Sequence, residues 1–545
     1  MKRRTFLRSA AAGAAATPFV LNGIPTLAKS PLKFLSQLPT VQDDNNILIV
    51  IQLFGGNDGI NTLPPLDDPN YTTLRPNIAC VKANCWSDNS IPSTYFHPGL
   101  SNGSTSGDHG GLASLMLHGD LAIVRNVGYP LPNLSHFRST DIWLSGINDA
   151  NPNDLLDTGW IGRYLSAKYP NFPASLPDDP LAIQFGGFSL ALQAKVGRMG
   201  IEVGDPTKQQ GVSSSLNTLD LASAGTAYAN EYAFVADIAS RSDKYAQRVK
   251  DTYAAGKALL KGQYSNDSFG TQMANCAALI AGGMQTKVYY TSLGGFDTHV
   301  SQAQQGDGTI GLHNTLLSSL SNGIYQFMND MIRLNLAHRI VGMTVSEFGR
   351  RPSENGSFGT DHGAGGVQFI FGTQVNSGIF GQQFDLSNLD ENQNLSYQID
   401  YRSVYLDVLT AWFGMTLADA KATLKTGLSG EADAEVDLLG PIAVIKQQSG
   451  GVATSKPAEL PFEITANYPN PFTTSTTLVI NVPSEASVAL DITNMNGDRV
   501  ADVFSQTLGV GEHRVPLSLD LPSGFYIVRA RSSIGVVTKM IQCVR

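Results

Sequence analysis

Acidic and imidazole side chains recur in this chain at the ends of strand-like runs, a pattern from which hydrolytic and metal sites are built. The stretch from Arg339 to Arg350 begins as a buried-strand pattern (Ile340, Val341, Met343, Val345). It then breaks into a polar, Gly-punctuated loop carrying Glu347, Arg350, Asp361 and His362. A carboxylate just past a β-branched run sits where open α/β sheets bind their ligands. Upstream, the apolar run Asn46 to Phe54 stops at Gly55-Gly-Asn-Asp-Gly, with Asp58 at the strand tip. Asp58 serves there either as a ligand or as the cap of its own turn. Leu121 to Val127 leads to Ser135, at a strand-to-helix junction that suits an exposed nucleophile or a helix N-cap. His136, Arg138 and Asp141 crowd the same turn. Thr286 to Leu293 ends at Gly294-Gly-Phe-Asp-Thr-His299, and Asp297 and His299, two apart, point the same way on an extended segment.

Carboxylates gathered in one place repel one another unless something positive sits among them. Arg138 and Arg350 could supply that charge as a salt-bridge cluster; a divalent metal is the other solution. Mixed carboxylate and imidazole ligands fit zinc, manganese or iron better than magnesium or calcium. With a hydroxyl nearby, such a site carries out metal-assisted hydrolysis, neutralising charge on phosphoryl or sulfuryl oxygens.

These tips need a sheet to hold them. Leu312, Leu316, Leu320, Ile324, Phe327, Met331 and Leu334 recur at spacings of three and four, an amphipathic helix that covers one sheet face and feeds the strand at Arg339. Strand, helix, strand in parallel sense is the unit of a doubly wound sheet. Strand character returns at Leu181 to Leu192 and Gly366 to Thr373, and helical composition at Leu216 to Lys261 and Tyr401 to Trp412. The expected architecture is an α/β domain over 40–445, a linker over 446–460 rich in Gln, Ser, Gly, Thr and Pro, and a C-terminal domain over 461–545. Short alternating runs at Thr477–Val482, Ser487–Ile492, Gly524–Ala530 and Val536–Ile541 make that last domain a small antiparallel β-sandwich.

At 545 residues more than one domain is expected, and 42% apolar with 15% charged residues describes a folded chain. The amino end, Lys2-Arg3-Arg4-Thr5-Phe6-Leu7 followed by the small, apolar run Ser9 to Leu21 and Thr26-Leu27-Ala28, reads as a twin-arginine signal over 1–28. Its apolar run is too short for a stable membrane span, so no transmembrane segment is expected in the mature chain. Removal of its four basic residues takes the formal charge from −9 to −13, which argues against nucleic-acid binding. Cys80 and Cys85 lie close in a loop and could pair in an oxidising compartment; Cys276 and Cys543 complete the set.

Residues 40–440 resemble the exported bacterial family labelled domain of unknown function 1501. The resemblance rests on Gly55-Gly-Asn-Asp-Gly, Ser135-His-Phe-Arg-Ser, Gly295-Phe-Asp-Thr-His, Ser346-Glu-Phe-Gly-Arg and Gly359-Thr-Asp-His-Gly. It implies an alkaline-phosphatase-like doubly wound mixed sheet flanked by helices, within a superfamily of metal-dependent phospho- and sulfo-hydrolases. By that likeness Asp58 is a first-strand metal ligand, Ser135 the nucleophile, Asp297 and His299 a further ligand pair, and His362 the late histidine. Glu347 stands where the superfamily has an Asp followed directly by His, and Phe348 takes the second place. That departure implies that one of two metals is weakly held, differently ligated or absent. The expected ligand set is therefore Asp58, Asp297, His299, Glu347, Asp361 and His362, with zinc or manganese as the ion and Ser135, His136, Arg138 and Arg350 as the catalytic group. The function implied is hydrolysis of phosphate or sulfate esters, small-molecule or glycan. The alternative is a non-catalytic secreted or surface protein with a degenerate metal site, possibly glycan-binding.

Asn467-Tyr-Pro-Asn-Pro-Phe472, Asn496-Gly and Leu521-Pro-Ser-Gly-Phe-Tyr-Ile-Val-Arg529 resemble a type IX secretion sorting domain, type A. Expected partners are thus the twin-arginine translocase and the type IX machinery, with a route through the periplasm to the medium or the cell surface.

Overall fold

The run Ile47–Leu53 (β1) is buried along its whole length, because it lies inside a sheet that is covered on both faces. The computed structural model describes residues 45–148, 156–209 (except 174 and 188), 243–425, 431–447 and most of 462–544. Within residues 1–44 only a strand pair, Phe19–Leu21 with Ile24–Thr26, is described. The rest of the stretch read as a signal, residues 210–242 and almost all of the stretch read as a linker lie outside the described residues. The chain divides into two compact units, Met1–Gln448 and Ser449–Arg545.

Alternate residues of β1 enter different cores, as the two-residue period of a strand requires. Ile47, Ile49, Ile51 and Leu53 join one core, with Leu316, Leu320, Ile324 and Phe327 of helix Leu312–Arg333. Leu48 and Val50 join the other, with Ile142, Trp143, Val404 and Tyr405. Around β1 stand Leu121–Gly128 (β2), Ala182–Gln184 (β3), Ile201–Glu202 (β4), Val288–Leu293 (β5), Ile340–Ser346 (β6), Gly366–Phe371 (β7) and Gly378–Phe380 (β8). Their order across the sheet is β8-β2-β7-β6-β1-β5-β3-β4, and the short strand Ile399–Asp400 also pairs with β2. β1 is parallel to β6 and β5, whereas β7 runs antiparallel to both β6 and β2. The architecture is a large mixed sheet with helices on both faces. Because β1, β5 and β6 are parallel neighbours, their carboxyl ends lie side by side, and the loops they feed meet there.

Two segments differ from expectation. The Gly-punctuated stretch after β6 is a two-stranded ribbon, Gly349–Glu354 against Thr360–Gly363, with Arg350 opposite His362. Its Arg-Arg-Pro-Ser-Glu composition lacks apolar alternation, so sequence pattern gives no strand signal there. Leu181 to Leu192 yields only the three-residue β3 and a 3₁₀ turn at Leu190–Leu192. In the second unit, antiparallel strands form a three-stranded sheet and a four-stranded sheet, over a core that includes Leu478, Ile480, Val488, Ile492, Val528 and Ile541.

Asp407, at the end of helix Tyr401–Asp407, accepts the backbone N–H groups of Ile442, Ala443 and Val444, each at 3.1 Å. Burial nevertheless pushes its carboxyl up to about 6. A raised acid pKa in the folded state favours folding at low pH, and that contribution is lost as pH rises through about 6. The loss amounts to up to about 3 kcal/mol. Asp407→Asn is expected to flatten this part of the stability profile, checked by urea midpoints at about pH 4 and about pH 7.

Candidate metal centre

Three strand ends are drawn together by one buried guanidinium. Arg350 donates to the carbonyls of Gly55, Gly56 (2.9 Å), Phe296 (2.9 Å) and Thr360 (2.8 Å), and to Asp297 Oδ1 at 2.8 Å. It ties the tips of β1 and β5 to the ribbon after β6 and orients the Asp297 carboxylate. Gly55 (φ +117°) makes the approach possible, since a Cβ there would stand 2.0 Å from the Asp297 nitrogen. The Gly55 N–H donates to Glu347 Oε1 at 2.6 Å.

Against that frame three imidazoles converge on Asp297. His136, the first residue of helix His136–Ser145, sets Nε2 3.5 Å from Asp297 Oδ2. His299 and His362 set their Nε2 atoms 3.1 Å and 3.3 Å from Asp297 Oδ1. His136, Asp297 and His362 each offer one ligand atom within 4.8 Å of the others, and His299 Nε2 lies 2.9 Å from His362 Nε2. Four donors about one ion at bond lengths near 2.1 Å stand about 3.0 to 3.4 Å apart. The atoms of Asp297, His299 and His362 stand 2.9 to 3.3 Å apart, close to that range, with His136 further out at 3.5 Å from the second Asp297 oxygen.

The far side of each ring is occupied. His136 Nδ1 faces Glu347 Oε1 at 3.0 Å, His299 Nδ1 faces Asp361 Oδ1 at 3.1 Å, and His362 Nδ1 faces the Leu134 carbonyl at 2.9 Å. An acceptor therefore stands on both sides of each ring, Asp297 at Nε2 and a second group at Nδ1. His299 Nε2 and His362 Nε2 lie 2.9 Å apart beside the Asp297 carboxylate, a spacing that one cation could bridge, with the Nδ1 protons left to the outer acceptors. A carboxylate or carbonyl behind each imidazole is the common support of histidine metal ligands. Burial lowers the His362 pKa, an effect the Leu134 carbonyl opposes and the nearby Arg350 charge reinforces. The ring is thus held in the neutral, ligating form. Burial alone would raise Asp297, but the Arg350 and His362 hydrogen bonds outweigh it and keep the carboxyl ionised.

Phe348 forms an apolar wall, its ring 4.4 Å from that of His362 and 5.0 Å from that of His136. Behind it a cleft is lined by Asn57, Tyr129, Trp143, Glu347 and Gln368. Glu347 Oε2 is buried there with no hydrogen-bond partner among the described residues.

The sequence-derived ligand set is redistributed by this geometry. Asp297, His299 and His362 meet as expected. His136, expected in a catalytic role, stands beside them, while Glu347 and Asp361, expected as ligands, face the far nitrogens of His136 and His299. Asp58 is not brought into the group. Its carboxylate, 1% exposed, accepts from Arg75 at 2.5 and 3.0 Å, from Gln302 at 2.6 Å, and from the Ile60 and Asn61 N–H groups. Burial raises its pKa, and the charge and hydrogen bonds of Arg75 more than reverse that. Arg75 and Gln302 had no signal in the sequence, since neither falls in a periodic or Gly-flanked motif. Arg350, expected among the catalytic residues, is instead the buried clamp on Asp297. Ser135 is exposed at the helix N-cap position, and its hydroxyl makes no capping bond. Arg138 is buried in the first turn of the same helix, where its charge opposes the upward push of burial on Asp141.

Residues 154–421 match the family model described as a protein of unknown function (DUF1501), and residues 466–543 match the secretion system C-terminal sorting domain. No curated protein matches the chain. The first match takes in Asp297, His299, Glu347, Arg350, Asp361 and His362, and leaves out Asp58, Ser135 and His136. The sorting tail marks a secreted or surface protein that engages the secretion machinery. No helix among the described residues is long and apolar enough to cross a membrane.

Proposed function

We propose that the chain is an exported, metal-dependent hydrolase-like protein of the alkaline-phosphatase and sulfatase-like superfamily. In this reading, Nε2 of His136, His299 and His362 and the Asp297 carboxylate hold one divalent ion, zinc or manganese, and the substrate is a phosphate or sulfate ester. The observation that carries it is the pair of facing Nε2 atoms of His299 and His362, 2.9 Å apart and both beside the Asp297 carboxylate, each ring backed by an acceptor at Nδ1. A bound divalent ion would lower the pKa of a nucleophile and neutralise charge on the ester oxygens. The protein's own part is to fix the ligands. With an ion at Nε2, Glu347, Asp361 and the Leu134 carbonyl would take the Nδ1 protons, Arg350 holds Asp297, and Phe348 shields one side from water.

Ser135 is the residue best placed to attack. Its hydroxyl is exposed and uncommitted at the start of the helix that carries His136, and helix N-termini favour anionic groups. The twin-arginine signal would deliver the chain folded, with its metal, before the sorting tail directs it outward.

The test is turnover of aryl phosphate and aryl sulfate panels by protein stripped with chelator and then reloaded with zinc or manganese. Activity should vanish on stripping and return on reloading. Ser135→Ala should lower kcat by about 10³-fold or more with bound metal unchanged. No turnover of either ester class by the fully loaded protein would overturn the hydrolase and favour a metal-bearing surface protein.

A further inference from the structure

Cys80 and Cys85 are both buried, at 5% and 4% exposure, five residues apart and near enough for each thiol to influence the other, with Cys80 Sγ also 3.8 Å from the Asn61 carbonyl. Both ends of the segment are anchored. The Cys80 N–H donates to the Tyr71 hydroxyl at 2.8 Å. Cys85 closes the 3₁₀ turn Lys82–Asn84 through its N–H to the Lys82 carbonyl, and the next residue, Trp86, is bridged to Phe96 by bonds of 3.0 and 2.8 Å. The fold therefore fixes the backbone at both ends of the turn that carries the two cysteines. Residues 81–84 between them are all exposed and tied at the surface through Lys82 to Asp67 and Asn84 to Asp307 and Thr309, so opening the turn breaks these contacts and no bond of the sheet. The other two cysteines are placed elsewhere. Cys276 is buried within helix Ser268–Ala281, and Cys543 lies in the second unit, its sulfur on the Thr473 and Leu521 carbonyls.

We propose that Cys80 and Cys85 form a disulfide once the chain has left the cytoplasm, bracing the scaffold behind the metal centre. The sorting tail assigns the chain to the cell surface or medium, where disulfides persist. In the reaction both thiols give up their protons and together two electrons, and the S–S bond forms. The electrons and protons pass to the disulfide of an exported thiol–disulfide oxidoreductase, which leaves as a dithiol. Burial pushes the Cys80 thiol well above its ordinary pKa, so the exchange takes place while the turn is open. The bond would immobilise Cys80 and with it a polar chain leading inward. The Tyr71 hydroxyl donates to Asn61 Oδ1 at 2.7 Å, and Arg75 donates to the same oxygen at 2.6 Å and to Asp58 at 2.5 Å.

The experiment takes full-length protein from the medium or surface of secreting cells, acid-quenched, denatured and alkylated before and after reduction. Peptide mass spectrometry is expected to find Cys80 and Cys85 blocked until reductant is added, with Cys276 and Cys543 labelled at once. Reduction of the folded protein should lower its melting temperature by about 3 to 6 °C, and Cys80→Ser/Cys85→Ser should melt at the lower value with or without reductant. Labelling of both residues before reduction, or pairing of either with Cys276 or Cys543, would overturn the assignment. A disulfide whose reduction leaves the melting temperature unchanged would overturn the bracing role. Should the double variant fold poorly, the wild-type labelling and melting still decide both points.

Discussion

Asp58→Ala is expected to cost the α/β unit about 3–5 kcal/mol of stability and to leave its metal content unchanged. Asp58 and Arg75 are both fully buried side chains in contact at 2.5 Å. Arg75 also reaches the Pro352 carbonyl at 2.8 Å and the Arg351 carbonyl at 2.9 Å, so this pair pins the segment after β1 to the ribbon that carries His362. Removing the carboxylate strands a guanidinium in a place where water cannot reach it, and frees the Gln302 amide as well. Most of the cost is that stranded charge rather than the worth of the pair. The double variant Asp58→Ala/Arg75→Met should therefore recover much of the loss. Urea unfolding with metal analysis of the same samples checks both halves. Unchanged stability with lost metal would make Asp58 a ligand after all.

The second large effect is on metal affinity. His362→Ala removes one of the four proposed donors and is expected to weaken zinc binding by at least about 10²-fold. Glu347→Gln touches no donor, yet it should cost about 10- to 100-fold. A carboxamide that keeps its oxygen in the Oε1 place still accepts from the Gly55 N–H and still faces His136 Nδ1, but the negative charge that raises the basicity of the imidazole is gone. Phe348→Ala keeps every ligand and every supporting acceptor and should change affinity far less. Competition with a chromophoric zinc chelator ranks the three variants. Equal affinity for wild type and His362→Ala would remove the imidazole cluster from metal binding.

These contrasts mark where the sequence is legible and where it is not. β1, β6 and the helix Leu312–Arg333 are readable because burial on two faces, or along one stripe, forces a run or a period into the residue order. Asp297, His299, Glu347, Arg350, Asp361 and His362 are readable as a group, because each stands just past a glycine break or within a few positions of one. Their division of labour is not. Whether a carboxylate holds an ion or holds the histidine that does so depends on which ring nitrogen it faces, and that is fixed only when β1, β5 and β6 lie side by side. Asp58 shows the same limit from the other side. It stands at a strand tip like Asp297, but the group that neutralises it, Arg75, comes from the end of the short helix Pro69–Leu74, 17 residues later. The ribbon around Arg350 escaped detection because charge pairing and carbonyl bonds, rather than an apolar face, hold it in place.

The most direct test is anomalous diffraction at the zinc absorption edge from crystals of the zinc-loaded full chain. The proposed centre predicts a single strong peak bounded by the Nε2 atoms of His136, His299 and His362 and the Asp297 carboxylate. No peak there, or a peak at Asp58 in its place, would contradict it.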